Sequence, residues 1–164
     1  MDIKARKEGL IISLREMGFY KSGSATMRNS SLEAIDRLAG VLAPRGENIR
    51  IEGHTDNVPI HNSHFPSNWE LSTARATELV KLFIYRYQID PMRLSASGLA
   101  EFHPTADNAS SEGRARNRRV DVIILNPVIS ETSPFRAPAP VGGPAATPYP
   151  RQAVPEADSR PHGP

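Results

Sequence analysis

The chain has 164 residues, 38% of them hydrophobic and 23% charged, with no cysteine and a formal net charge of +2. These values exclude disulfides, thiolate zinc sites and a cysteine nucleophile. They argue against nucleic acid or a membrane surface as partner, and no apolar run approaches the roughly 18 residues of a membrane span.

Ten of the 15 prolines fall in residues 127–164, so composition divides the sequence into a domain over 1–126 and a Pro-rich tail of 38 residues. The opening Met1-Asp-Ile-Lys-Ala-Arg-Lys7 is basic, but no apolar region follows it, so it does not read as a signal peptide. Residues 9–14 read as a strand with Leu10, Ile12 and Leu14 on one face. A polar, Gly-containing stretch runs from Lys21 to Asn29. Ser30-Ser-Leu-Glu33 has the form of a capping box, and the helix after it places Leu32, Ile35, Leu38, Ala39 and Leu42 on one stripe before Pro44 and Gly46 end it.

Asn48 to Gly53 alternates as a second strand, and residues 54–66 lack any period and read as a loop. Ser67-Asn-Trp-Glu70 is a second capping box. The helix it opens buries Ala76, Leu79, Val80, Phe83 and Tyr87 and stops before Asp90-Pro91. Arg93 to Gly98 is a short third strand, residues 114–118 a basic turn, and Val120 to Leu125 a last strand apolar enough to be covered on both faces. The order β-α-β-α-β-(turn)-β predicts two right-handed crossover units and a small sheet with helices packed on one face. The tail from Pro127 carries three arginines against three acids and cannot bury enough apolar surface to offset its ordering entropy; disorder with polyproline II character is expected.

Three polar clusters are candidates for chemistry. Gly53-His-Thr-Asp-Asn57 lies where a strand ends, the usual place for a ligand in α/β units, although the same residues also build a tight turn. Asn68-Trp-Glu-Leu-Ser-Thr-Ala-Arg75 opens a helix, where unpaired N–H groups and the helix dipole favour an anion. Leu71 and Arg75, four apart, share a face, and a guanidinium there can hold a carboxylate by two prongs or serve a structural ion pair. Gly113-Arg-Ala-Arg-Asn-Arg-Arg-Val120 has four arginines but no interleaved aromatics. This reads better as a basic turn bonding neighbouring loops than as a phosphate site. Two rival sites are weaker: a hydrolase using Ser72, His54 and Asp56 lacks an activated nucleophile, and a metal site from His54, Asp56, His61 and His64 lacks regular spacing.

Taken together, Phe19-Tyr-Lys-Ser-Gly-Ser-Ala25, Ile51-Glu-Gly-His-Thr-Asp-Asn57, Asn68 with Leu71-Ser-Thr-Ala-Arg-Ala76, Arg93-Leu-Ser-Ala-Ser-Gly98 and Gly113–Val120 resemble the OmpA-like peptidoglycan-binding domain over residues 9–126. The long loop at 57–67 and Phe65-Pro-Ser-Asn-Trp-Glu-Leu-Ser72 are most similar to the wall-anchoring branch found in flagellar motor stators. The resemblance implies an α/β (α+β sandwich) fold and a non-catalytic module without cofactor or metal. Its implied ligand is the diaminopimelate of the peptidoglycan peptide stem, whose side-chain end carries an ammonium and a carboxylate. On the family pattern Asp56 receives the ammonium, Arg75 and Asn68 the carboxylate, and Thr55, Leu71 and Arg119 are secondary contacts. It further implies a periplasmic location, a homodimer, stator or other envelope proteins as partners, and an inner-membrane tether absent from this sequence. An envelope tether unrelated to motility is the alternative.

Overall fold

The computed structural model describes residues 1–127, so the expected disorder of the tail lies outside the described residues. Its elements are strands β1 (Asp2–Arg6) and β2 (Gly9–Arg15), a one-turn helix α1 (Glu16–Phe19), α2 (Leu32–Leu42), β3 (Ile49–His54), α3 (Asn68–Tyr85), β4 (Leu94–Gly98), α4 (Ser111–Asn117) and β5 (Arg119–Leu125). The sheet order is β1-β2-β5-β3-β4. β3 and β4 are parallel, joined through α3, and β5 runs antiparallel to both β2 and β3. This is the expected mixed sheet, with one addition: β1 forms a hairpin with β2, closing at Arg6 opposite Gly9.

Alternation along the strands fixes the layers. Ile12, Ile51 and Val122 lie side by side in the register, as do Leu14, Gly53 and Val120. This face meets Ile35, Leu38, Ala39 and Leu42 of α2 and Ala76, Leu79 and Phe83 of α3 in one core. Val80 and Tyr87, expected inside, only pack against its edge. The opposite face carries Arg50, Glu52, His54, Arg119 and Asp121, and has no long helix over it.

The two capping boxes differ. Ser67 is a true N-cap: its hydroxyl accepts from the Trp69 N–H at 3.2 Å and donates to Glu70 Oε2 at 2.5 Å. The Ser30–Glu33 box does not form. Residues Asn29–Ser31 make a 3-10 turn that leads directly into α2, Ser31 donates back to the Arg28 carbonyl at 2.6 Å, and Glu33 pairs with Arg37. The turn already occupies the place where the Ser30 hydroxyl would cap.

Two glycines set the position of α3. Gly53 and Gly98 are register partners on β3 and β4. A Cβ on Gly53 would stand 1.9 Å from the Ser72 carbonyl oxygen, and one on Gly98 would stand 2.1 Å from Thr73 Oγ1. Lacking side chains, these strands let the first turns of α3 rest on the sheet backbone, which brings Asn68, Leu71 and Arg75 beside the end of β3.

Candidate functional site

β3 ends at His54, and the chain turns at Thr55-Asp56 into the long loop. The Thr55 N–H donates to the Ala100 carbonyl at 2.9 Å, and the Asp56 carboxylate folds back to accept from the Val58 N–H at 3.1 Å. Asn68, in the first turn of α3, donates its amide to the carbonyls of Asp56 (3.3 Å) and Val58 (3.2 Å), holding the loop against the helix. The result is a pocket of about 400 Å³ lined by Thr55, Asp56, Asn68, Leu71 and Arg75 together with Glu16, Gly23, Arg114 and Arg118.

The pocket is charged, and Glu16, Asp56, Asn68 and Arg75 in its lining are buried. Arg75 is only 1% exposed. Its Nε donates to the Ser24 carbonyl at 2.8 Å, its Nη2 pairs with Glu16 Oε1, and its Cζ lies 5.3 Å from the Tyr20 ring centroid. Nη1 has no partner among the described residues. Arg118 bridges both acids, donating from Nε to Glu16 Oε2 at 2.5 Å and from Nη1 to Asp56 Oδ2 at 2.6 Å, with its side chain 32% exposed. Two carboxylates and two guanidiniums thus alternate in one chain, Arg75–Glu16–Arg118–Asp56. In a pocket of this kind Nη1 of Arg75 and the free edge of Arg118 can receive an anion, while Asp56 can receive a cation.

Five of the six residues expected at the site come together here; Arg119 does not. It opens β5 one residue beyond Arg118 and therefore points to the other face of the sheet. There it donates to Asp121 Oδ2 at 2.9 Å and to the Asn117 and His103 carbonyls at 3.3 Å. Glu16 and Arg118 escaped the sequence reading. The arginine run did contain Arg118, and the alternation of β5 is the signal that separates it from its neighbour. Glu16 carries no local signature, because its partners lie 59 and 102 residues away. The basic run otherwise behaves as the bland reading has it: Arg114 donates to the Asn108 carbonyl at 2.8 Å and Arg116 pairs with Glu112.

The rival sites do not assemble. The Ser72 hydroxyl is buried, donates to the Trp69 carbonyl at 3.0 Å and accepts from the Ala100 N–H at 3.2 Å, so it is a structural link. His54 lines the open face of the sheet with Arg119 and Asp121, whereas Asp56 lines the pocket, and His61 and His64 are exposed on the loop.

His54 is itself informative. It is 2% exposed, and neither ring nitrogen has a hydrogen-bond partner among the described residues. Burial, reinforced by Arg119 and His103, pushes its pKa from 6.5 down to about 3. Carboxylates of Asp121 and Glu52 at 3.5 and 3.8 Å pull the other way and reduce the effect. The folded state therefore binds fewer protons than the unfolded chain below about pH 6.5, and stability falls as the pH drops through that window toward 3. Urea titrations should show the parent losing up to about 2 kcal/mol more than His54→Gln between pH 7 and 5. Equal losses in the two proteins would mean that His54 is not held neutral.

The OmpA family model matches residues 19–118. Motility protein B of Bacillus subtilis (strain 168) is 41% identical over 136 residues, which are 81% of this chain and 51% of that protein. The chain spans about half the length of the Motility protein B relatives it matches. Among solved structures, the cell wall anchor of the T6SS from Pseudomonas aeruginosa is 34% identical, with a TM-score of 0.70 over 76% of this chain and 87% of that one. The periplasmic domain of Helicobacter pylori MotB is 26% identical, with a TM-score of 0.71 over 79% of this chain and 84% of that one.

Proposed function

The chain belongs to the OmpA family, and on that premise we propose that its pocket binds peptidoglycan without catalysis, gripping the diaminopimelate end of the peptide stem to anchor an envelope complex to the cell wall. The observation that carries this reading is the placement of Asp56, Arg75 and Arg118 around one pocket of about 400 Å³. A zwitterionic group needs an anion and a cation at fixed separation, and opposite charges so placed select it over a singly charged group. Asp56 takes the ammonium. The carboxylate goes to Nη1 of Arg75 and the free edge of Arg118, since the Asn68 amide nitrogen is already committed to two loop carbonyls. Thr55 and Leu71 complete the walls, and Arg119 supports β5 from behind.

For the anchored complex, the relatives support two readings. Likeness to Motility protein B favours the flagellar motor stator, working as a homodimer in the periplasm. Likeness to the T6SS cell wall anchor favours a second reading, an envelope tether outside motility. Among the described residues no helix is long and apolar enough to cross a membrane.

The test of the binding reading is a comparison of two walls. The full chain should sediment with purified sacculi whose stem peptides carry diaminopimelate and remain in the supernatant with sacculi carrying lysine at that position. Lysine offers the ammonium but lacks the carboxylate. Equal sedimentation with both would contradict a site that reads both charges.

A further inference from the structure

The sheet has a free edge at β1. The strand pairs with β2 on one side, and no strand among the described residues lies on the other. Its hairpin turns through Lys7 and Glu8 alone, so Arg6 and Gly9 close it as a hydrogen-bonded pair and the two kinds of pair alternate from there. Ile3 and Ala5 therefore turn their N–H and C=O groups away from β2, toward the open edge. Residues 3–6 are exposed, Ile3 to 60%. A row of unpaired backbone groups of this kind is a template for another strand.

The side chains select the incoming strand. Asp2 and Lys4 point to the open face of the sheet and Ile3 to the other, by the alternation of the strand. Arg15 donates to Asp2 from both Nε (3.0 Å) and Nη2 (2.5 Å), but both bonds end on Oδ2, so Oδ1 has no partner among the described residues. Lys4 makes no ion pair there either. An acid and a base two residues apart, each with unused capacity, fit a second copy of the same strand. Laid antiparallel about a two-fold axis through Ile3, it sets each Asp2 opposite the other copy's Lys4 and Ile3 against Ile3. The register centred on Lys4 instead sets lysine against lysine. We infer that β1 is a pairing edge for a second copy of this chain, joining two sheets into one in the register centred on Ile3. The edge itself is read from β1; its role as the contact of the homodimer rests on the wall-anchoring reading above. The axis, normal to the sheet, turns one copy end for end, so the two pockets open at opposite ends of the joined sheet and reach separate stems. Five residues a side bury far less than the roughly 1,200 Å² of a stable interface, so the dimer is weak in dilute solution and is favoured where two chains are held close.

The chain has no cysteine, so single introduced cysteines read the register. Residues opposite each other in a hydrogen-bonded antiparallel pair have Cα atoms about 5.5 Å apart, within disulfide reach. In the register centred on Ile3 the two copies of Lys4 are offset along the strands and lie out of reach. Mild oxidation of the full chain at millimolar concentration should link Ile3→Cys into a dimer and leave Lys4→Cys, also exposed on β1, mostly unlinked. Sedimentation equilibrium of the parent should show a concentration-dependent dimer that Lys4→Glu weakens about tenfold, since two cross-strand pairs turn from attractive to repulsive. A strictly monomeric parent overturns the inference, as does equal or preferential linking of Lys4→Cys, or a parent dimer that Lys4→Glu leaves intact. A monomeric parent that diaminopimelate-type sacculi still retain would remove the edge and leave the pocket reading standing. A linked Ile3→Cys dimer that those sacculi do not retain would do the reverse.

Discussion

Arg75→Ala should cost the domain about 3–5 kcal/mol of stability, the usual penalty for removing one partner of a buried ion pair. Arg75 is buried, and its loss strips Glu16 of one of two guanidiniums and leaves the Ser24 carbonyl without its donor. The cation over the Tyr20 ring disappears as well. Arg75 is not among the apolar residues of α3, and from sequence alone the substitution is expected to spare folding; the structure reverses that expectation, because Arg75 shares the buried face of the helix with Leu71 and Leu79. Arg75→Lys should recover only part of the loss, because a single ammonium cannot serve Ser24 and Glu16 in the fork geometry of a guanidinium. Chemical denaturation of the three proteins measures this directly. An Arg75→Ala midpoint equal to that of the parent would show that the pair contributes nothing net.

Asp56→Ala should behave in the opposite way, nearly neutral for folding and severe for binding. Its carboxylate accepts one backbone bond from Val58, whose loss costs about 1 kcal/mol. Arg118, left behind, is partly exposed and keeps Glu16. On the proposed reading, Asp56 is the anion that receives the ammonium of the ligand. Truncating one partner of a desolvated charge pair costs about 2–5 kcal/mol, or roughly 30-fold to several thousand-fold in affinity. Co-sedimentation with diaminopimelate-type sacculi should therefore vanish at protein concentrations where the parent is retained. Arg37→Ala, at an exposed helix pair with Glu33, is the control and should sediment as the parent does. A folded Asp56→Ala protein that still sediments normally would remove Asp56 from the site.

The contrast between these two residues shows what a sequence can convey. The strands of the central sheet and both long helices are legible because alternation and helical spacing are driven by one-sided burial, as Ile49 and Ile51 or Leu38 and Leu42 show. β1 is not. Its Asp-Ile-Lys-Ala-Arg is mostly exposed, and the strand is held by pairing with β2 rather than by burial, which leaves only a weak pattern. The pocket's walls are legible through Asp56, Asn68, Leu71 and Arg75, which follow from strand-end and helix-start positions. Its charge balance is not. Glu16 enters through tertiary packing, and choosing Arg119 over Arg118 is a one-residue slip that in a strand exchanges one face of the sheet for the other. The same slip hides the difference between a residue that lines the pocket and one that braces Asp121.

One pocket that reads both charges of the diaminopimelate end is tested by titrating the isotopically labelled full chain with free meso-diaminopimelic acid, followed by amide NMR, with Nα-acetyl-lysine amide, which offers the ammonium without a carboxylate, titrated in parallel. Saturable shifts are expected at Thr55, Asp56, Leu71 and Arg75, with the blocked lysine binding more weakly at the same residues. Shifts confined to the opposite face around His54 and Arg119, or identical affinities for the two compounds, would contradict a site of this kind.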